Sequence, residues 1–98
     1  MVQINWTFQA KNDLKDIADY ISKDSVLYAK RQVLKIRNRT DILKSQNYSG
    51  RMVPEFQNEN IKEILEGNYR IIYRVVSKNR IDILTVHHSS RDLLNRNI

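Results

Sequence analysis

The sequence has no cysteine, one proline and two glycines among its 98 residues. The absence of cysteine excludes a disulfide scaffold, a Cys-ligated zinc site and a thiol nucleophile. The only histidines are the adjacent His87 and His88, whose side chains diverge on a strand, so we expect no metal and no cofactor. No apolar run approaches the ~20 residues that cross a bilayer, and no signal-peptide core is present near Met1. These absences favour a cytoplasmic protein that is not inserted in a membrane.

Positive charge is in excess. Seventeen Lys and Arg residues stand against eleven Asp and Glu, which gives a net charge of +6. With 41% hydrophobic and 29% charged residues, the composition is that of a globular protein, and residues 1–98 are predicted to form a single domain. The densest run of cations contains no carboxylate and comprises Lys30, Arg31, Lys35, Arg37 and Arg39. Such a run indicates either a solvated helix face or a surface for an acidic protein segment or nucleic acid.

The first half of the chain carries one strand pattern and one short helix pattern. Alternation from Val2 to Phe8 predicts a half-buried strand. Apolar residues at helical spacing then predict an amphipathic helix from about Gln9 to Ser22. Asp13 is predicted on the outer face of this helix, together with the other charged residues around it.

A longer helix pattern follows and then gives way to strands. Asp24 or Ser25 can cap this second helix, whose pattern fades near Ser45. Its predicted apolar stripe comprises Val26, Ala29, Val33, Ile36, Thr40 and Leu43. The extended segments that follow are predicted at Arg51 to Phe56 (an edge or broken strand), Ile61 to Glu66, Tyr69 to Val76 and Ile81 to His87. The predicted fold class is therefore α+β, with an N-terminal strand, an α-helical hairpin, an antiparallel three- to four-stranded meander, and a short helical turn from Arg91 to Asn97.

The register of the last hairpin follows from its tight turn. With Lys78 and Asn79 as the loop, paired residue numbers sum to 157, so that Arg70 lies opposite His87 and Arg74 opposite Ile83. Opposed side chains share a face of the sheet, with Cβ atoms roughly 4.5–5.5 Å apart. Arg70 and His87 are therefore predicted to be neighbours at the open end of the hairpin.

This pair has two interpretations. Like-charge repulsion favours the neutral, proton-accepting imidazole, while the guanidinium of Arg70 can hold a phosphate bidentately. A carboxylate such as Glu55 or Glu63 could supply the second acid or base of an RNA-cleaving centre. Alternatively, Arg70 pairs with a nearby carboxylate and His87 is a half-exposed strand residue.

Several segments together resemble the RelE/ParE toxin superfamily. They are Trp6, Ala10-x-x-Asp13-Leu14-x-x-Ile17-x-x-Tyr20-Ile21, Gly50-Arg51-x-Val53-Pro54-Glu55, Tyr69-Arg70-Ile71-Ile72-Tyr73-Arg74-Val75, Ile81-x-Ile83-Leu84-x-Val86-x-His88 and Arg91-x-Leu93. Their order and spacing cover nearly the whole chain. The resemblance implies that the protein is the toxin of a bacterial type II toxin–antitoxin pair. The toxin would form a hetero-oligomer with its antitoxin, and this complex would bind operator DNA through the antitoxin. The cations from Lys30 to Arg39 would suit an acidic antitoxin segment.

Two branches of the superfamily imply ribosome-dependent cleavage of mRNA. Arg70 matches the strand arginine of RelE-like nucleases, but their second arginine and C-terminal tyrosine would fall near Ser89 and Asn95 and are missing. YoeB-like nucleases use a glutamate after a proline, the same arginine and a late histidine. Glu55, Arg70 and His87 (or His88) could fill those catalytic roles here.

The ParE-like branch, which poisons DNA gyrase and does not cleave RNA, resembles this sequence best. On that basis Arg51, Glu55, Arg70, His88 and Arg91 would be structural or interaction residues. A third hypothesis is an inactive co-repressor that retains the toxin fold within its antitoxin complex.

Overall fold

A computed structural model, which describes residues 2–89, shows two helices packed on one face of a five-stranded sheet. The elements are β1 (Gln3–Trp6), α1 (Phe8–Ser22), α2 (Val26–Arg39), a 3-10 helix (Thr40–Lys44), β2 (Arg51–Met52), β3 (Ile61–Glu66), β4 (Tyr69–Ser77) and β5 (Arg80–His88). The strand order is β1-β5-β4-β3-β2. The predicted α+β class and antiparallel meander are confirmed, and β1 adds a parallel edge beside β5. The predicted turn at Arg91–Asn97 lies outside the described residues.

Side-chain caps determine where both helices begin. The Thr7 hydroxyl accepts a hydrogen bond from the Ala10 amide, so the chain leaves the sheet at Thr7. The Ser25 hydroxyl accepts one from the Tyr28 amide, which selects Ser25 over Asp24 as the cap of α2. Among residues 2–89, no helix has the length and apolar character needed to span a membrane.

The principal core lies between the helices and the sheet. Buried side chains from both helices, the 3-10 helix and the three longest strands form it: Ala10, Leu14, Ile36, Leu43, Ile64, Ile71, Tyr73, Val75, Ile81, Ile83 and Val86. Ile4 and Trp6 of β1 pack against its edge. This core is what holds the helical hairpin to the meander.

The loop between β2 and β3, residues 53–60, covers the other face of the sheet. Val53 is fully buried there against Ile61 and Ile72, and Phe56 packs beside them. Because side chains alternate along a strand, Ile72 points to this face while Ile71 points to the helices. The β2–β3 loop thus brings Glu55 over the same face that carries Arg70.

The β4–β5 register agrees with prediction at both ends and differs in the middle. Arg70 lies opposite His87, as predicted, but Arg74 pairs with Asp82 and not with Ile83. Register shifts fall between Ile72 and Tyr73 and between Val75 and Ser77. The first shift adds a residue to β5 and the second adds one to β4. Because the two cancel, the pairing at both ends of the hairpin is the same as in a regular hairpin, and counting from the turn does not reveal them.

Three predicted side-chain environments were wrong. Phe8 is the first residue of α1 and 80% exposed, because the Thr7 cap ends the strand before it. Val26 is also exposed, whereas Ala29, Ile36, Thr40 and Leu43 from the same predicted stripe are buried. Asp13 is buried and not on the outer face of α1. Its position three residues after Ala10 and one before Leu14 puts it on the stripe that faces β5.

Gly50 is required by close packing at the entrance to β2. A Cβ atom there would lie 2.5 Å from the Glu63 carbonyl oxygen and 2.7 Å from the Tyr73 hydroxyl. The Gly50 amide also donates to that hydroxyl at 3.0 Å. We expect Gly50→Ala to lower the free energy of unfolding by about 1–3 kcal/mol, because backbone and a buried ring must move. Urea unfolding followed by circular dichroism measures the change.

The neighbouring exposed Ser49 provides the control for this substitution. Ser49→Ala adds no atom near Tyr73 and should change the free energy of unfolding by less than about 0.5 kcal/mol. Equal stability of the two variants would contradict the packing requirement at Gly50.

Candidate functional site

Four charged side chains meet on the sheet face beneath the β2–β3 loop. Arg51 comes from β2, Glu63 from β3, Arg70 from β4 and Glu55 from the loop itself. We call this set the ion-pair cluster. It contains two guanidinium groups and two carboxylates, so the formal charges of its members cancel.

Arg70 is held by both carboxylates. Its Nη1 and Nη2 atoms donate to the two Glu55 oxygens at 2.7 and 2.9 Å. Its Nε and Nη2 atoms donate to Glu63 Oε1 at 2.8 and 2.5 Å. These bonds account for four of the five N–H groups of the guanidinium. An incoming phosphate would therefore have to displace a carboxylate in order to bind Arg70.

Glu63 is the buried centre of the cluster. Its side chain is 0% exposed and accepts from Arg70 and also from Arg51 Nε, at 2.6 Å. A buried carboxylate is stable only when paired and hydrogen-bonded. Glu63 thereby joins β2, β3 and β4 through its contacts with Arg51 and Arg70.

The two histidines face opposite sides of the sheet, as predicted. His87 is 3% exposed and occupies the position paired with Arg70, so the expectation of a half-exposed residue was wrong. His88 is half-buried on the helix side, where its ring meets that of Tyr69 edge-on at 5.3 Å between centroids. Of the two, His87 is the one that lies next to the ion-pair cluster.

Electrostatics keep Glu55 ionised. The hydrogen bonds from Arg70, opposed by partial burial, lower the pKa of Glu55 from 4.5 to about 2, and His87 makes a small contribution in the same direction. The same hydrogen bonds to Glu55 raise the pKa of Arg70 above its usual value. A carboxylate with such a low pKa is a weak general base and is not available as an acid near neutral pH.

This pairing predicts a pH dependence of stability. Because the pKa of Glu55 is lower in the folded chain, ionised Glu55 stabilises the fold in full above pH 4.5, and the contribution disappears as the pH falls towards 2. The stability difference between the native chain and Glu55→Gln should therefore be largest above pH 4.5 and shrink towards zero at the acid end. Urea titrations at several pH values measure it.

Glu59 of the same loop is exposed and serves as the matched control. Glu59→Gln makes the same chemical change away from Arg70 and should show a small difference at every pH. If the stability difference between the native chain and Glu55→Gln were constant from pH 2 to 7, ionised Glu55 would not be the source of the stabilisation.

The basic run on α2 forms a separate surface. Lys30, Arg31, Lys35 and Arg37 are exposed, with Arg37 lying 5.4 Å above the centre of the Trp6 ring. Arg39 differs, since it is half-buried and its Nε donates to the Leu65 carbonyl at 3.0 Å. Arg91, the remaining predicted motif position, lies outside the described residues.

Sequence reasoning undervalued one member of the ion-pair cluster. Glu63 was only an alternative to Glu55 as the carboxylate of an RNA-cleaving centre, yet it is the more buried of the two. The signal was present, because Glu63 is two residues after Ile61 on an alternating strand and must share its buried face. Among residues 2–89, no cluster of three or more potential metal-ligating side chains occurs.

Comparisons with known proteins agree with the fold and the motifs. A family model described as "ParE toxin of type II toxin-antitoxin system, parDE" matches residues 4–93. The chain is 29% identical over 91 residues to Toxin RelE2 of Caulobacter vibrioides, covering 93% of this chain and 99% of that protein.

Solved toxin–antitoxin structures share the fold. The chromosomal ParDE system of P. aeruginosa superposes with a TM-score of 0.72 at 22% identity, over 90% of this chain and 96% of that one. The YoeB–YefM complex of Staphylococcus aureus gives 0.59 at 17% identity, over 90% and 97%. At these identities the superpositions establish the fold alone. The family match, which spans nearly the whole chain, shows that this protein belongs to the ParE toxin family and is the toxin of a type II toxin–antitoxin system.

Proposed function

We propose that this toxin inhibits growth by binding DNA gyrase and that it does not cleave RNA. The observation that carries the proposal is the state of Arg70, whose guanidinium is held by Glu55 and Glu63 through four hydrogen bonds. A nuclease needs that cation to stabilise charge on a phosphate. Membership of the ParE family supports gyrase as the target.

The electrostatics of Glu55 support the same proposal. General acid–base catalysis is most efficient when the pKa of the catalytic group lies near the working pH. The pKa of Glu55, lowered to about 2 by Arg70, is far from that range. Arg70, Glu55 and Arg51 are therefore proposed to maintain the fold of the gyrase-binding toxin.

The proposal includes a cognate antitoxin that covers α2. The two solved structures compared above are toxin–antitoxin systems, and α2 offers a suitable surface. Leu27 and Leu34 are 60% and 57% exposed, and Arg31 and Lys35 are exposed beside them. An antitoxin helix with acidic and apolar residues would match this mixture of charge and hydrophobic area. Operator DNA would be bound through the antitoxin.

Charge reversal on α2 tests the antitoxin surface. Arg31→Glu with Lys35→Glu should weaken antitoxin binding at least about tenfold, because like charges would then face each other across the interface. The control is Lys11→Glu with Lys15→Glu, an equally exposed pair with the same spacing on α1. Isothermal titration with the cognate antitoxin measures both affinities. Equal affinities of the two double variants for the antitoxin would show that the antitoxin does not bind this surface of α2.

A second candidate is ribosome-dependent mRNA cleavage by Arg70, His87 and Glu55. It is favoured by the β4–β5 register, which pairs Arg70 with His87. In that mechanism Glu55 would have to leave Arg70 when RNA binds.

Two measurements separate the candidates. The purified chain is added to gyrase in a supercoiling assay, with and without cognate antitoxin, and is expressed without antitoxin while transcripts, protein synthesis and the SOS response are followed. We expect antitoxin-reversible inhibition of gyrase and SOS induction before any loss of translation. Cleaved transcripts with rapid translation arrest and unaffected gyrase would overturn the proposal. Absence of toxicity would instead support the co-repressor hypothesis.

A further inference from the structure

We draw no further inference here: the strongest candidate, the groove between the outer edge of β1 and the C-terminal end of α2, where the guanidinium of Arg37 lies over the ring of Trp6 and Lys44 lines the same wall, continues the α2 surface already proposed for the antitoxin, and nothing in residues 2–89 shows what else would cover it.

Discussion

Arg70→Met should lower the free energy of unfolding by about 3–5 kcal/mol, the typical cost of removing one partner from a buried ion pair. The methionine retains most of the apolar stem of arginine but removes two of the hydrogen bonds to Glu63, which is 0% exposed. Glu55 loses its described hydrogen-bond partner at the same time. Urea unfolding at pH 7, followed by circular dichroism, measures the loss.

Arg74→Met is the matched control, since Arg74 is exposed on the same strand. Exposed charges contribute little to stability, so the free energy of unfolding of Arg74→Met should differ from that of the native chain by less than about 1 kcal/mol. If Arg70→Met were as stable as Arg74→Met, the ion-pair cluster could not be the structural centre of this sheet face. That outcome would favour RNA cleavage as the use of Arg70.

Asp13→Ala should lower the free energy of unfolding by about 2–4 kcal/mol, because it removes the buried carboxylate that accepts from two donors of β5. The Asp13 carboxylate accepts from the Thr85 hydroxyl and from the Val86 amide at 3.0 Å, and Thr85 is 0% exposed. Gln9 also donates to it, at 3.0 Å. Asp13 thus joins the first helix to the last strand across 72 residues of sequence.

The exposed Asp16 on the same helix is the control for this substitution. Asp16→Ala removes the same group from the solvent side and should change stability by less than about 0.5 kcal/mol. Hydrogen exchange gives a second measurement, since the Val86 amide should lose protection in Asp13→Ala and keep it in Asp16→Ala. Unchanged protection in Asp13→Ala would rule out the proposed link between α1 and β5.

Local patterns predicted most of the fold. The β-branched and aromatic residues of Tyr69 to Val76 and of Ile81 to His87, together with the short turn between them, predicted both the hairpin and the Arg70–His87 pairing. Helical spacing located α1 to within a few residues. The predicted second helix, which was to end near Ser45, is α2 as far as Arg39 and then the 3-10 helix. These features depend on residues close in sequence, where periodicity and turn chemistry dominate.

The errors arose where a side chain has a distant partner. Asp13 was predicted outside on the basis of its charge, but Thr85 and Val86 satisfy it in the interior. Glu63 was undervalued because neither Arg51 nor Arg70 is adjacent to it in sequence. The parallel pairing of β1 with β5 was also missed, since nothing local to Gln3–Trp6 specifies a partner strand.

The candidate site was predicted in part. Arg70, His87 and Glu55 were predicted as one group, and the structure does bring Glu55 onto Arg70 and His87 beside it. The sequence left two interpretations of Arg70 open, and the one in which it pairs with a nearby carboxylate is confirmed. With Glu63 on one edge and Glu55 on the other, Arg70 neutralises carboxylates of its own chain.

The amino-acid sequence alone determined the order of elements, the hairpin ends and the excess of positive charge on α2, since each depends on neighbouring residues or simple composition. Only the tertiary structure decided that Asp13 is internal, that Glu63 is the centre of an ion-pair cluster and that Glu55 covers Arg70. Burial and pairing of charge depend on which distant groups the folded chain brings within hydrogen-bond distance. A buried charge has lost its contact with water, so it is stable only while its partner is present.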